Sequence, residues 1–180
     1  MQAFVLLTFD TAGEAAVREI QADLKRSDLL PSTKSEQALA PHLTLAGFEA
    51  FDFPTLVEAL TDALDEVLSF PVTFASLGAF VGENRVLFLA PVITKPLLAL
   101  HERIYTAVSA NVQDNDARYA PEAWIPHCTL AMELTDSHLA EGIRHLSRLD
   151  LPLQAHITRV QLVTYPELSV LAAWSLETSW

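Results

Sequence analysis

The sequence contains one six-residue motif twice, and this repeat limits the possible folds more than any other feature. Residues 41–46 are Pro-His-Leu-Thr-Leu-Ala and residues 126–131 are Pro-His-Cys-Thr-Leu-Ala, so five of six positions agree at an offset of 85 residues. Each motif also follows a short apolar run, a helical pattern and a polar loop. We therefore predict a duplicated strand-helix-strand unit that carries one motif in each copy.

Alternation within the motifs indicates strands in which each histidine shares a face with a threonine. Residues i and i+2 of a strand point to the same side, so His42 lies beside Thr44 and His127 lies beside Thr129. Cys128 then points to the opposite face, where we expect a core residue rather than a nucleophile. If the two copies pair about a pseudo-two-fold axis, both His-Thr pairs face one groove.

The remaining hydrophobic pattern predicts an α+β fold. We expect two pseudo-symmetric lobes of antiparallel-type sheets, with helices on the outer faces and a groove between the lobes. No linker rich in Pro, Gly or Ser divides the chain, so residues 1–180 are expected to form a single bilobal domain. Predicted strands cover residues 4–9, 42–48, 71–80, 85–89, 127–133, 153–165 and 168–175. One predicted helix covers residues 14–25, and three others begin near Asp52, Pro96 and Asp136; the last has Leu139, Ile143 and Leu146 as its apolar positions. Polar loops are predicted for residues 31–39 and 111–118.

Composition excludes several classes of partner. The chain has 23 acidic residues against 11 Lys and Arg, a formal net charge of −12, which argues against binding long nucleic acid or an anionic membrane. A single cysteine fits a reducing compartment, and neither a signal peptide nor an apolar run of membrane-spanning length is evident. We therefore expect a cytoplasmic protein that acts as a monomer.

Two imidazoles on either side of a substrate can act as general base and general acid. Their unperturbed pKa near 6.5 allows one ring to be neutral while the other is protonated. The neighbouring threonine hydroxyls can donate hydrogen bonds to phosphoryl oxygens. This chemistry requires neither a metal nor an organic cofactor, and no third metal ligand stands beside either motif.

The paired His-x-Thr-Leu motifs, half a chain apart, resemble the 2H phosphoesterase superfamily and specifically its 2′-5′ RNA ligase-like branch. The likeness includes the length, the duplicated topology and the Trp124-Ile125-Pro126 segment before the second motif. It implies two α+β lobes around a groove and cleavage or formation of phosphodiester bonds at ribose 2′ and 3′ oxygens, most commonly the opening of 2′,3′-cyclic phosphates. By this resemblance His42 and His127 form the catalytic pair, while Thr44 and Thr129 hold the phosphate.

Other residues are candidates for substrate contacts because they lie in segments that precede the motifs or, for Arg85, at the tip of a predicted hairpin. Arg118, Arg85 and Lys34 are the cationic candidates, with Arg118 the first choice, and Tyr119 is an aromatic candidate for stacking on a base. Trp124 is predicted to pack in the core. The histidines outside the motifs are predicted to lie on the surface: His101, His138, His145 and His156.

Three functions remain open at this point. The first is a hydrolase acting on a 2′,3′-cyclic phosphate or 2′-5′ linkage of a nucleotide or RNA end. The second is a protein that binds such a ligand without turnover, which the acidic charge favours. The third is a 2′-5′ RNA ligase. The sequence does not determine which histidine is the base, nor whether the leaving oxygen is 2′ or 3′.

Overall fold

The computed structural model describes residues 2–29 and 39–177, and within these ranges the chain has the predicted α+β fold. Most of the predicted loop 31–39, including Lys34, lies outside the described residues. The four helices are α1 (Thr11–Arg26), α2 (Phe53–Leu64), α3 (Lys95–Asn111) and α4 (Asp136–Leu146). The eight strands are β1 (Gln2–Phe9), β2 (His42–Phe51), β3 (Phe70–Phe80), β4 (Arg85–Pro91), β5 (Val112–Asn115), β6 (Cys128–Leu134), β7 (Leu153–Tyr165) and β8 (Val170–Ser175).

The strands form one antiparallel sheet in the order β5-β2-β1-β7-β3-β4-β6, with β8 paired to β7. The long strand β7 joins the two lobes, because Leu153–Ile157 pairs with β3 whereas Ile157–Tyr165 pairs with β1. We call β1-α1-β2-α2-β3 the first repeat and β4-α3-β6-α4-β7 the second repeat. The short strand β5 lies in the segment 111–118, which the sequence predicted to be a loop.

The two repeats pair their motif strands in the same register. In the first repeat Val5 lies opposite Ala46 and Leu6 opposite Thr44, with an irregularity between these two pairs. In the second repeat Leu87 lies opposite Ala131 and Phe88 opposite Thr129, with an irregularity at the equivalent place. Both motif strands therefore carry the same bulge immediately after the threonine.

Helices α1 and α3 begin in the same way and bury equivalent positions. The side chains of Asp10 and Thr94 cap their N-termini by accepting a hydrogen bond from the backbone three residues later. An offset of 84 residues relates the buried positions Val17, Ile20 and Leu24 of α1 to His101, Ile104 and Val108 of α3. None of the described helices is long and apolar enough to cross a membrane.

Two sequence predictions about side-chain burial were wrong. His101 was expected on the surface but is 1% exposed, because it occupies the position of α3 that Val17 occupies in α1. Ile143 was expected on the apolar face of α4 but is 42% exposed. Gly142 faces the sheet in its place, and a Cβ there would lie 3.0 Å from the side chain of Leu87.

Candidate functional site

The two motifs border one cavity of about 770 Å³, a volume typical of a small-molecule site. His42, Thr44, His127 and Thr129 all line it, so the structure brings the predicted pairs together. Each of these side chains is half-buried, whereas the alternate residues of both strands are buried in the core. Further lining residues come from β1, α1, β7 and the segment before β6, among them Phe4, Gln21, Arg118, Tyr119, Trp124 and Thr164.

Each motif histidine is held by a backbone carbonyl two residues before it. The Nδ1 atom of His42 lies 2.8 Å from the carbonyl oxygen of Ala40, and Nδ1 of His127 lies 2.7 Å from that of Ile125. A carbonyl oxygen only accepts hydrogen bonds, so both Nδ1 atoms carry a proton and donate. In the neutral state the lone pair of each ring is therefore on Nε2, which is the atom left to exchange a proton with a ligand.

The surroundings favour the neutral form of both motif histidines. Burial lowers the pKa of His42, and the nearby charge of His127 lowers it further, while the hydrogen bond to Ala40 opposes both effects. Burial also lowers the pKa of His127, whose ring lies 4.9 Å from that of Phe80 and 5.4 Å from that of Phe88, centroid to centroid. The charge of His127 is the smallest of the effects on the pKa of His42, so burial is the main reason why both rings favour the neutral form.

Residues before β6 form one wall of the cavity and contact the first motif. The indole Nε1 of Trp124 donates to the carbonyl oxygen of Thr44 at 2.9 Å, so this side chain combines core packing with a contact to the motif. Tyr119 lines the same wall, and burial raises the pKa of its phenol. Arg118 also lines the cavity, where its guanidinium pairs with Asp116 at 2.5 Å and remains 78% exposed.

Arg85 does not line this cavity, which corrects its assignment as a candidate contact. Its neighbours Asn84 and Val86 do line the cavity, whereas Arg85 is directed elsewhere. Its Nε lies 2.6 Å from a carboxylate oxygen of Asp136, at the start of α4. Cys128 is fully buried as predicted, and burial raises the pKa of its thiol to about 12, so the thiolate needed for nucleophilic attack is suppressed.

Sequence reasoning missed two residues that contact the site. The side-chain Nε2 of Gln21 in α1 donates to the carbonyl oxygen of Thr129 at 3.1 Å, a contact between residues 108 positions apart. His101 donates from Nε2 to the carbonyl oxygen of Tyr119 at 2.9 Å and stacks on Trp124. Helical periodicity could have identified His101, but no local pattern marks Gln21.

The side chains that could ligate a metal are dispersed in the described part of the chain. Within residues 2–29 and 39–177, no three His, Cys, Asp or Glu side chains are grouped closely enough to hold a metal ion. The structure does contain a pair of imidazoles, each beside a threonine hydroxyl, whose Nε2 atoms have no hydrogen bond to any of the described residues. Such a site can transfer two protons across a bound ester.

Comparisons with known proteins agree with this arrangement. The model of the 2′-5′ RNA ligase superfamily matches residues 9–167. A protein of Bacillus licheniformis that carries the provisional name phosphoesterase is 27% identical over 129 residues, which are 69% of this chain and 72% of that protein. The structure of TT0787 from Thermus thermophilus is similar at a TM-score of 0.67 and 19% identity, with both chains fully covered. LigT of E. coli in apo form has a TM-score of 0.66 at 14% identity, with 98% of each chain covered.

Proposed function

The chain belongs to the 2′-5′ RNA ligase superfamily, as its motifs indicated, and on this basis we propose that it is a metal-independent phosphodiesterase. Its substrate is a 2′,3′-cyclic phosphate or a 2′-5′ linkage of a small nucleotide or RNA end. The observation that carries the proposal is the presence of two imidazoles on one cavity, each fixed through Nδ1 and with Nε2 unbound by the part of the chain that the structure describes.

In the proposed reaction the two imidazoles divide the proton transfers between them. The neutral ring takes a proton from water on Nε2, and the water oxygen forms a bond to phosphorus. The phosphorus–oxygen bond to one ribose oxygen breaks, and the protonated ring gives its Nε2 proton to that leaving oxygen. The product is a phosphomonoester, and the two rings return to their starting protonation states by exchange with solvent.

The threonines hold the phosphoryl group in this proposal. Thr44 and Thr129 each lie two residues beyond a motif histidine on the same strand face, so their hydroxyls can donate to the non-bridging oxygens as charge develops there. Two neutral donors suit a monoanionic diester better than a long polyanion. Arg118 supplies the cationic contact, and Tyr119 supplies an aromatic face for the base.

The charge of the protein supports a small substrate. A net charge of −12 disfavours a long RNA strand, because affinity for the phosphate backbone depends on many Lys and Arg contacts. LigT of E. coli has been solved with 3′-AMP and, in another structure, with phosphate, which are ligands of the size proposed here. The proposal includes a monomeric cytoplasmic protein, and size-exclusion chromatography with light scattering tests the monomer.

The direct test is hydrolysis of the four nucleoside 2′,3′-cyclic monophosphates in excess chelator, with chromatographic separation of the 2′- and 3′-phosphate products. We expect turnover that persists with chelator and falls by at least about a thousandfold in His42→Ala and in His127→Ala. The matched control is His156→Ala, which removes an exposed histidine of β7 and should retain wild-type turnover. Wild-type activity in either motif variant would refute the two-histidine mechanism.

A second candidate is ligand binding without turnover. The pairing of Arg118 with Asp116 favours it, since this leaves little free positive charge among the described residues that line the cavity to stabilise a transition state. Stabilisation of the fold by 3′-AMP without product after long incubation would support binding alone. Joining of RNA ends by the wild-type protein, with a steep dependence on salt, would instead indicate the ligase.

A further inference from the structure

The second motif strand lies at the edge of the sheet, so its outward backbone groups have no neighbouring strand. β6 pairs with β4 on one side, and no described strand adjoins its other side. An edge carbonyl needs a hydrogen-bond donor from elsewhere to be held in place. The carbonyl oxygen of Thr129 obtains this donor from Gln21, a residue of the other repeat.

The contact fixes the orientation of the Gln21 amide. Because a carbonyl oxygen only accepts hydrogen bonds, the Nε2 end of the amide faces Thr129. Gln21 is half-buried, lines the cavity and lies on α1 next to the buried Ile20, so its backbone is anchored by the core. The side chain therefore connects a rigid helix to the strand residue that follows His127 by two positions.

The first motif strand is held in an equivalent way, because the carbonyl oxygen of its threonine also accepts a hydrogen bond from the other repeat. Trp124, from the second repeat, donates to the carbonyl oxygen of Thr44, just as Gln21, from the first repeat, donates to that of Thr129. The two donors are different groups, an indole N–H and a side-chain amide N–H, and they come from different parts of their repeats. Each repeat thus supplies the bond that holds the other repeat's motif strand.

We propose that Gln21 is a positioning residue that acts through the Thr129 carbonyl to set the location of His127 and of the Thr129 hydroxyl against the substrate. This inference rests on the proposed phosphodiesterase function. Misplacing reacting groups by about 1 Å can lower a rate by up to about a hundredfold. Loss of one positioning bond should therefore lower kcat more than it changes KM.

The alternative is that Gln21 only anchors α1 to the second repeat. Another contact of α1 makes this alternative testable, because Asp23 binds Nε2 of His145 on α4 at 2.5 Å, and both side chains are partly exposed. Asp23 is two residues from Gln21 and does not line the cavity. Asp23→Asn weakens this anchor between the repeats without touching the motif strand, so it is the matched control.

Steady-state kinetics of three variants distinguish the two explanations. Gln21→Met keeps the shape but removes the N–H donor, and Gln21→Glu removes the donor while keeping an acceptor oxygen. We expect both to lower kcat about tenfold with KM within about threefold of wild type, while Asp23→Asn retains wild-type kcat. Equal losses in Gln21→Met and Asp23→Asn would overturn the proposal, since they would indicate anchoring alone. Normal kcat in Gln21→Glu with a loss in Gln21→Met would also overturn it, because it would indicate a substrate contact through the acceptor.

A substrate-free measurement separates this proposal from the proposed function. If the wild-type protein turns over neither cyclic nucleotides nor 2′-5′ linkages, the proposed function fails, but the position of His127 can still be followed by NMR of ¹⁵N-histidine. We expect Gln21→Met to shift the His127 ring signals and the midpoint of their titration, and Asp23→Asn to leave both unchanged. Identical His127 signals in wild type and Gln21→Met would overturn the positioning role.

Discussion

The imidazole of His101 lies face to face with the indole of Trp124, with ring centroids 3.8 Å apart and planes inclined by 6°. The stack connects helix α3 to the cavity wall, because Trp124 also donates to the carbonyl oxygen of Thr44. His101 contributes a second link through its hydrogen bond to the carbonyl of Tyr119. A buried histidine thus supports two residues of the site without lining the cavity itself.

Trp124→Phe should impair turnover more than its effect on stability would suggest. Phenylalanine can still stack on His101 but has no N–H for the Thr44 carbonyl, so the free energy of unfolding should fall by about 1 kcal/mol. The first motif strand also loses its outer hydrogen bond, so we expect kcat to fall about tenfold. Urea unfolding and cyclic nucleotide hydrolysis measure the two effects.

Trp174→Phe is the control for that experiment. The indole of Trp174 donates to the hydroxyl of Thr61 at 2.9 Å; this side chain is partly buried and does not line the cavity. Loss of this hydrogen bond in Trp174→Phe should lower the free energy of unfolding by the same amount as Trp124→Phe or less, and it should leave kcat unchanged. Equal losses of kcat in both tryptophan variants would contradict the role of Trp124 at the motif.

Buried histidines should make the stability of this protein depend on pH. Burial lowers the pKa of His101 in the folded state, so as pH falls below about 6.5 the unfolded state binds the proton first. The contribution of this histidine to the free energy of unfolding is therefore fully present above pH 6.5. It decreases as pH falls towards the folded-state pKa, by up to about 1.4 kcal/mol per pH unit. His42 and His127, whose pKa values burial also lowers, contribute in the same direction.

Removing the buried histidine should make that dependence shallower. His101→Gln retains a donor for the Tyr119 carbonyl but has no proton to gain between pH 7 and pH 5. Urea unfolding at several pH values should show a lower midpoint at pH 7, from loss of the stack, and a smaller further loss at pH 5.5. Trp174→Phe keeps all six histidines and should retain the wild-type slope. An unchanged slope in His101→Gln would contradict the prediction.

The motif pairs could be predicted from sequence because their geometry is local and repeated. A period of two along a strand places each histidine beside its threonine, and the same pattern 85 residues later indicates one shared site. The fold class followed from the alternation of strand and helix patterns. The bulge and the register that the motif strands β2 and β6 share place the two motifs equivalently in their repeats. These features could not be predicted from the sequence, because they depend on which strands pair with β2 and β6.

The residues that were missed depend on burial or on distant contacts. His101 lies at helical spacing with Leu97, Ile104 and Val108, so its burial was implied by periodicity, although its polarity suggested the surface. The carbonyl of Tyr119 provides the partner that makes this burial possible. No sequence pattern marks Gln21, because its contact with Thr129 forms only when the fold brings α1 next to the motif strand of the other repeat.

Two arginines that the sequence offered as candidate substrate contacts should behave differently when each is replaced by alanine. Arg118 lines the cavity, whereas Arg85 pairs with Asp136 away from it. We expect Arg118→Ala to raise KM for a cyclic nucleotide about threefold to tenfold, because an exposed guanidinium contributes modestly to holding a phosphate. Arg85→Ala should leave KM unchanged, and similar increases in both would refute the assignment of Arg118.

The activity of the wild-type protein should have a bell-shaped pH profile with its maximum on the acid side. One imidazole must be neutral and the other protonated. In the protein without ligand, burial lowers the pKa of both below the ordinary histidine value of 6.5. The maximum of kcat/KM should therefore lie below pH 6.5. A bound phosphate anion raises the pKa of nearby imidazoles, so the maximum of kcat should lie at higher pH. A rate that does not fall on one side of the maximum would argue against paired acid and base.

Phe80→Ala should move one limb of that profile. The edge-on contact between Phe80 and His127 helps to shield the imidazole from water, so removing the ring should raise the pKa of His127 towards its ordinary value. The limb due to His127 then moves to higher pH, and the direction in which the bell widens or narrows reveals whether His127 is the acid or the base. If His127 is the acid, the alkaline limb moves; if it is the base, the acid limb moves. Phe53→Ala, at an exposed position of α2, should leave both limbs in place, and an unchanged profile in Phe80→Ala would show that this ring does not control His127.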